Sequence, residues 1–400
     1  MRVVGIVAEY NPLHNGHIYH MEESKKQAGS EFCVVAMSGN FVQRGEPACT
    51  DKFTRAEWAV MGGADIVAEI PTVCAVSSAE RFAEGAVKTL AATGVVTDLA
   101  FGVETDDVNA LYHLADLLDR EPANFRVYLN YHLKQGKSFP RAQYDALKDL
   151  DVPEEQLAIL QQPNNILAVE YLKSLRRFAP EIRPLPIRRI GNRYNSTVLT
   201  GTLSSATAIR EALLNGDESV YDTMPMSVAA AMRFDGQFPV TFERFAPMLL
   251  YRLRSMTLEE LAALPDVSEG FEQVLYRAVR QATDLNSLLE AIKSKRYTLA
   301  RCKRILVSAL LHIPAGLSDA LVENRENLYL HILGLKRIGR GLLSAMASRA
   351  EAPVILRNSD LMNCSELARA SLSIDALSTD LYGYALAREM HRDAQSAITI

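Results

Sequence analysis

The chain has 400 residues, 48% of them hydrophobic, with 43 Lys and Arg against 48 Asp and Glu for a net charge of −5. That length suggests two or three domains with sizeable cores, and the acidic balance excludes a global pull toward nucleic acid, so any RNA contact needs a local basic patch. Cys33, Cys49, Cys74, Cys302 and Cys364 have neither disulfide nor metal-ligand spacing, no apolar run is long enough for a bilayer, and no signal peptide precedes the first strand-like run; the expectations are a cytoplasmic location, no protein-held metal, no membrane and no obligate protein partner.

The apolar run Val3 to Val7 reads as a strand buried on both faces. Asn11-Pro12 breaks it, and His14-Asn15-Gly16-His17 follows where a helix begins near Gly16. A helix start offers free N–H groups and the positive end of the macrodipole to a phosphate. Gly16 would let the backbone come close, and His14 and His17 could donate to oxygens that gain charge at an α-phosphorus. Taken alone, most such His pairs are surface residues, helix caps or satisfied core groups.

Phe32 to Met37 is a second strand, Thr50 to Met61 a helix stopped by Gly62-Gly63, and Asp65 to Ile70 a third strand ended by Pro71. Lys52 and Arg55 share one face of that helix, as ligands of phosphate or RNA or as solvated charges. Asp98 to Val103 and Ile182 to Ile190 are the fourth and fifth strands, with a mostly helical insertion over 107–178 between them. Ligands of open parallel sheets bind at strand carboxyl ends, so Glu9-Tyr10, Ser38-Gly39-Asn40 and Gly102 are expected to converge. Gly102 would leave room for adenine or ribose. Asn164 could bond the nucleotide or cap its helix, and Arg188 or Arg189 could stack on it or pair with it. Ser205-Ala206-Thr207-Ala208-Ile209-Arg210 opens a further helix, in which Ser205 and Thr207 cap and Arg210 supplies a fixed cation for the β- and γ-phosphates; an ordinary capped helix is the alternative.

From about residue 217 helical periodicity dominates, chiefly between Phe242 and His312. Lys293, Lys295, Arg296, Arg301, Lys303 and Arg304 fall within twelve residues that contain no acid, with Tyr297 among them as a base-stacking candidate. A solvated helix face is the plain alternative. Lys336, Arg337 and Arg340 could extend the footprint.

His14-Asn15-Gly16-His17 paired with Ser205 to Arg210 resembles the HIGH-type nucleotidyltransferases. Together with Ala8 to Asn11, Met37 to Ala48 and Asp51 to Glu57, the chain is similar to the bacterial tRNA(Met) cytidine acetate ligase family. The likeness runs on through Phe101-Gly102, Pro163 to Leu167, Arg188 to Gly191 and Lys295 to Thr298. Val103 stands where a small polar residue is expected, and Ala206 replaces one of the paired hydroxyls.

The resemblance implies an α/β fold, a parallel-sheet (Rossmann-like) nucleotidyltransferase domain over 1–216 with the helical insertion, then a mostly α-helical tRNA-binding region over 217–400. It implies an ATP site made of Val7, Ala8, Glu9, Tyr10, Asn11, Pro12, Leu13, His14, Asn15, Gly16, His17, Ile18, Tyr19 and His20 with Gly102, Asn164, Arg188 and Arg189. ATP would be co-substrate, with magnesium expected to screen it. Acetate would become acetyl-adenylate, and the acetyl group would pass to the wobble cytidine of elongator tRNA(Met). The competing readings are adenylylation of a phosphorylated metabolite and a non-catalytic RNA-binding protein that kept a nucleotide pocket.

Overall fold

The computed structural model describes residues 1–189, 199, 201–235, 238–268, 270–337, 340–388, 390, 392–394 and 397–400. Ile190 and Gly191, which close one expected strand and one motif, lie outside these. The strands are β1 (Val3–Ala8), β2 (Phe32–Ser38), β3 (Phe41–Val42), β4 (Glu46–Pro47), β5 (Ile66–Ile70), β6 (Asp98–Val103), β7 (Arg183–Arg188), β8 (Leu330–Leu335), β9 (Val354–Ile355) and β10 (Ile398–Thr399).

The main sheet runs β10-β8-β5-β2-β1-β6-β7, and β9 pairs with β8. β5, β2, β1, β6 and β7 are mutually parallel, with Val3 opposite Phe32, Val34 opposite Ile66, Val4 opposite Asp98 and Gly102 opposite Ile187. The chain builds outward from β1 through β2 to β5, then returns to place β6 on the other flank of β1. The strand order therefore reverses beside β1, and a crevice opens at the carboxyl ends there.

Alternate residues face opposite sides of the sheet, and the two sides have different cores. Val3, Val34, Ile66 and Leu99 join one cluster with Leu90, Leu172 and most of the apolar residues after Phe242. Val4, Val35, Val67 and Ala100 join another with Trp58, Leu13 and Ile209.

The helical insertion comprises Val108–Arg120, Ala123–Lys134, Phe139–Lys148, Glu154–Ile159 and Pro163–Phe178. The region after 217 is mostly helical but does not stand apart from the sheet. β8 is buried throughout and pairs antiparallel with β5, Ile66 opposite Leu335. The helix Glu366–Ala385 braces the loops at the carboxyl ends of the sheet. Its Thr379 hydroxyl accepts from Asn40 Nδ2 at 3.0 Å, its Asp375 carboxylate accepts from the Thr72 N–H at 2.8 Å, and its Tyr382 hydroxyl donates to the Ala48 carbonyl.

Candidate active site

The helix Asn15–Ala28 starts on a cap made of two histidines. His14 Nδ1 accepts from the Gly16 N–H at 3.1 Å, and His17 Nδ1 accepts from the His14 N–H at 3.3 Å. With both Nδ1 atoms acting as acceptors, the ring proton of each neutral imidazole sits on Nε2. The rings stack with centroids 3.7 Å apart. Burial, with Arg189 and Arg210 nearby, pushes the His14 pKa down to about 3; burial and the neighbouring His14 hold His17 well below the usual range. The pair is thus a double Nε2–H donor that stays uncharged at neutral pH. Tyr10, at a left-handed φ of 44°, sets its ring edge-on to His17 at 5.0 Å. A Cβ on Gly16 would lie 3.0 Å from the His14 ring, so this glycine makes room for the cap itself.

A cleft open to solvent lies over this helix start. It is lined by Val7, Ala8, Glu9, Tyr10, Asn11, His14, Gly16, His17, Tyr19 and His20, by Gly102, Asn164, Arg188 and Arg189, and by Ser205 and Arg210. Ser205 caps Ala206–Leu214 by accepting from the Ala208 N–H, and Arg210 Nη1 donates to the Asn11 carbonyl at 2.7 Å. The two motifs, almost two hundred residues apart in sequence, therefore share one wall.

Five expected residues do not line the cleft. Leu13 is wholly buried in the core, Ile18 packs toward Gly62, and Pro12 and Thr207 are absent from the lining. Asn15 Nδ2 instead ties the helix start to the Thr202 and Asp222 carbonyls at 3.2 and 3.1 Å. Asn164 is not a cap, because Gln162 holds that position; it donates to Glu104 Oε1 at 2.6 Å and accepts from Arg189 Nη1 at 3.3 Å. Arg188 Nη1 donates to the Glu104 carbonyl at 2.6 Å. Gly102 lines the cleft, and a Cβ added to it would lie 3.2 Å from Arg189 Cγ, so this glycine makes room for the Arg189 stem.

Sequence reasoning missed the lining residues Val42, Gln43, Arg44 and Glu46 from the β3–β4 hairpin, and Phe82, Leu167 and Tyr171 from two helices. The hairpin lies inside the Met37 to Ala48 stretch, which carried family likeness but no chemical marker. Leu167 likewise lies inside the Pro163 to Leu167 likeness, and Phe82 and Tyr171 carried no marker.

Lys52 and Arg55 are fully buried, which removes them as ligands of phosphate or RNA. Lys52 Nζ bonds both carboxylate oxygens of Glu69, at 3.0 and 2.8 Å, and Asp393 Oδ1 at 2.5 Å. Arg55 donates to the carbonyls of Thr50, Glu9, Ser38 and Gly39, locking three loops together.

The basic window is divided by its partners. Tyr297 cannot offer a ring face to a base: Phe271 stacks on it at 3.8 Å, and the Arg301 guanidinium lies 4.0 Å over the ring. Arg301 donates to the Asp266 carbonyl at 2.7 Å, Arg304 pairs with Asp266 at 3.1 Å, and Lys303 pairs with Glu46. Arg296 Nη2 reaches the Leu133 carbonyl at 3.2 Å. Lys293 and Lys295 stay exposed. Lys336 and Arg337 follow β8; the side chain of Arg340 lies outside the described residues.

A family model described as HIGH Nucleotidyl Transferase matches residues 1–397. A tRNA(Met) cytidine acetate ligase of Acetivibrio thermocellus is 39% identical over 396 residues, 96% of this chain and 94% of that protein. One from Kosmotoga olearia is 37% identical over 367 residues, 89% and 85% of the two chains. The crystal structure of Thermotoga maritima TmcAL in its apo form I superposes with a TM-score of 0.94 at 34% identity, covering 100% of both chains. The same protein bound with alpha-thio ATP gives 0.92 at 33% identity, again over 100% of both.

Proposed function

The chain belongs to the HIGH nucleotidyl transferase family and, within it, to the tRNA(Met) cytidine acetate ligases, and from that premise we propose that it activates acetate with ATP and acetylates the wobble cytidine of elongator tRNA(Met). One observation carries the chemistry: two uncharged Nε2–H donors at a helix start share a cleft wall with the anchored Arg210. Acetate is ionised at neutral pH, so its oxygen attacks the α-phosphorus of ATP without a base. His14 and His17 donate to oxygens that gain charge as pyrophosphate leaves, while Arg210 and Arg189 hold the polyphosphate. Acetyl-adenylate then acylates the exocyclic amine of cytidine, giving N4-acetylcytidine and AMP.

Of the two carboxylates that line the cleft among the described residues, Glu46 is paired with Lys303 and Glu9 has one oxygen taken by the Gln43 N–H. These residues fit a magnesium ion that travels on the triphosphate rather than one caged by protein. Such an ion would screen phosphate charge.

The tRNA footing is assigned to the helical region after 217, chiefly the exposed Lys293 and Lys295, with Arg296, Arg301, Lys303 and Arg304 shaping the surface around them. The cytidine must leave its anticodon stack to enter the cleft. No helix among the described residues is long and apolar enough to cross a membrane; a tRNA substrate supports a cytoplasmic reaction.

The test is pyrophosphate release from ATP with and without acetate, and with and without tRNA. Labelled acetate is expected to enter tRNA with no acetyl-coenzyme A present and with AMP as product. A strict need for acetyl-coenzyme A, or ADP as product, overturns the reading.

A further inference from the structure

Transfer of the acetyl group leaves a proton to be placed. The cytidine N4 lone pair forms the N–C bond, the C–O bond to the adenylate phosphate breaks, and AMP leaves with that electron pair. One N4 proton must go to a base. Among the described groups that line the cleft, most cannot receive it. His14 and His17 have their Nδ1 atoms filled by backbone N–H groups. Arg44, Arg188, Arg189 and Arg210 are cations, and Tyr10, Tyr19 and Tyr171 are phenols. Burial pushes His20 down to about 4, which makes it a poor base. The Glu46 carboxylate is held by Lys303.

Glu9 remains. It directly follows β1, and its carbonyl is fixed by Arg55 Nη1 at 2.6 Å. Its Oε1 accepts from the Gln43 N–H at 2.9 Å, and Gln43 is anchored in turn through Nε2 to the Ser77 carbonyl at 3.0 Å. The carboxylate is therefore positioned from both ends, and it lines the cleft. The hairpin that holds it abuts the basic helix Leu299–Leu310: Glu46 pairs with Lys303, and Gly45, at φ 74°, lies against the backbone of Lys303 and Arg304. A base delivered over that helix meets the wall that carries Glu9.

We propose that the Glu9 carboxylate is the catalytic base of the transfer step, accepting a hydrogen bond from the cytidine N4–H and then its proton, which passes on to solvent. The proposal rests on the ligase reading above and adds to it a basis for choosing cytidine: a carboxylate accepts from N4–H, whereas uridine would turn its O4 acceptor toward the same charge. Desolvation raises the Glu9 pKa against the opposing pull of the Gln43 N–H and of Arg210, Arg44 and Arg55, which brings it nearer working pH and makes it a stronger base.

The test is single-turnover transfer from chemically prepared acetyl-adenylate to tRNA, followed from acid to neutral pH, beside acetate-dependent pyrophosphate exchange without tRNA. Glu9→Gln is expected to slow transfer by about 10²–10⁴-fold, more than it slows exchange, and to remove the fall in rate on the acid side. Glu9→Asp, which keeps a carboxylate, is expected to retain that acid-side fall at a reduced rate. Transfer by Glu9→Gln at the wild-type rate, equal losses of transfer and exchange, or a Glu9→Asp profile with no acid-side fall would each overturn the assignment. Failure of the wild-type protein to make acetyl-adenylate from ATP and acetate overturns the ligase reading itself, and is seen without any variant.

Discussion

Lys303 and Glu46, 257 residues apart in sequence, form an ion pair that joins the basic window to the wall of the ATP cleft. The hairpin bearing Glu46 also presses its Gly45 on the backbone of Lys303 and Arg304. What reads in sequence as a remote basic segment is a neighbour of the chemistry, and its charges differ in what they are free to do.

That difference sets the outcome of charge removal. Lys293→Gln with Lys295→Gln is expected to weaken tRNA binding and to lower the salt slope by about 0.7 per lost contact on a single strand, or about 0.9 on a duplex. Arg301→Ala and Arg304→Ala break contacts to Asp266, so they are expected to lower the urea midpoint as well. Affinity across a salt series, with urea unfolding of the same proteins, separates the two groups. An unchanged tRNA affinity in the double lysine variant would identify a solvated surface.

Substituting Ala for His14 or His17 is expected to remove about 2.7–4 kcal/mol of charge stabilisation, a loss of about 10²–10³-fold in rate. ATP affinity should fall much less, since the backbone and arginines hold the ground state. Because burial keeps both imidazoles neutral, no imidazole titration is expected in the exchange rate near neutral pH. Near-normal acetylation by the double variant, measured with labelled acetate, would remove the histidines from the mechanism.

The same depressed pKa values predict how acid destabilises the fold. Unfolded, His14 takes up a proton below its ordinary 6.5, whereas folded it does so only near 3, and His20 only near 4. Stability from these groups is whole above 6.5 and is lost as pH falls toward those values. Asp375, raised to about 6, acts in the opposite sense over part of that window. Replacing His14 with Asn, which can still cap the helix, is expected to flatten the decline in urea midpoint below 6.5. An unaltered decline would show that His14 is not the titrating group.

Lys52→Met leaves the buried Glu69 and the part-buried Asp393 without that cation, and breaking a buried pair on one side costs about 3–5 kcal/mol. Urea unfolding measures it. A small loss of stability combined with a weaker tRNA salt dependence would instead return Lys52 to the solvent-facing role its helix position suggests.

The helix start at His14 to His17, the five parallel strands and the Ser205 cap were legible in the sequence because each depends on neighbours within one turn or on a continuous apolar run. The burial of Lys52 and Arg55, the place of β8 in the sheet and the sorting of the basic window were not. A charged helix position looks the same whether solvent or Asp393 lies opposite it, and Tyr297 looks free until Phe271 covers its ring. The sequence by itself determined which residues could donate to a phosphate, since a two-histidine cap is a local arrangement. Only the tertiary structure decided which cations are spent on internal partners, because the groups that answer them, Asp266, Glu46 and Asp393, come from distant segments whose approach is set by packing of the core.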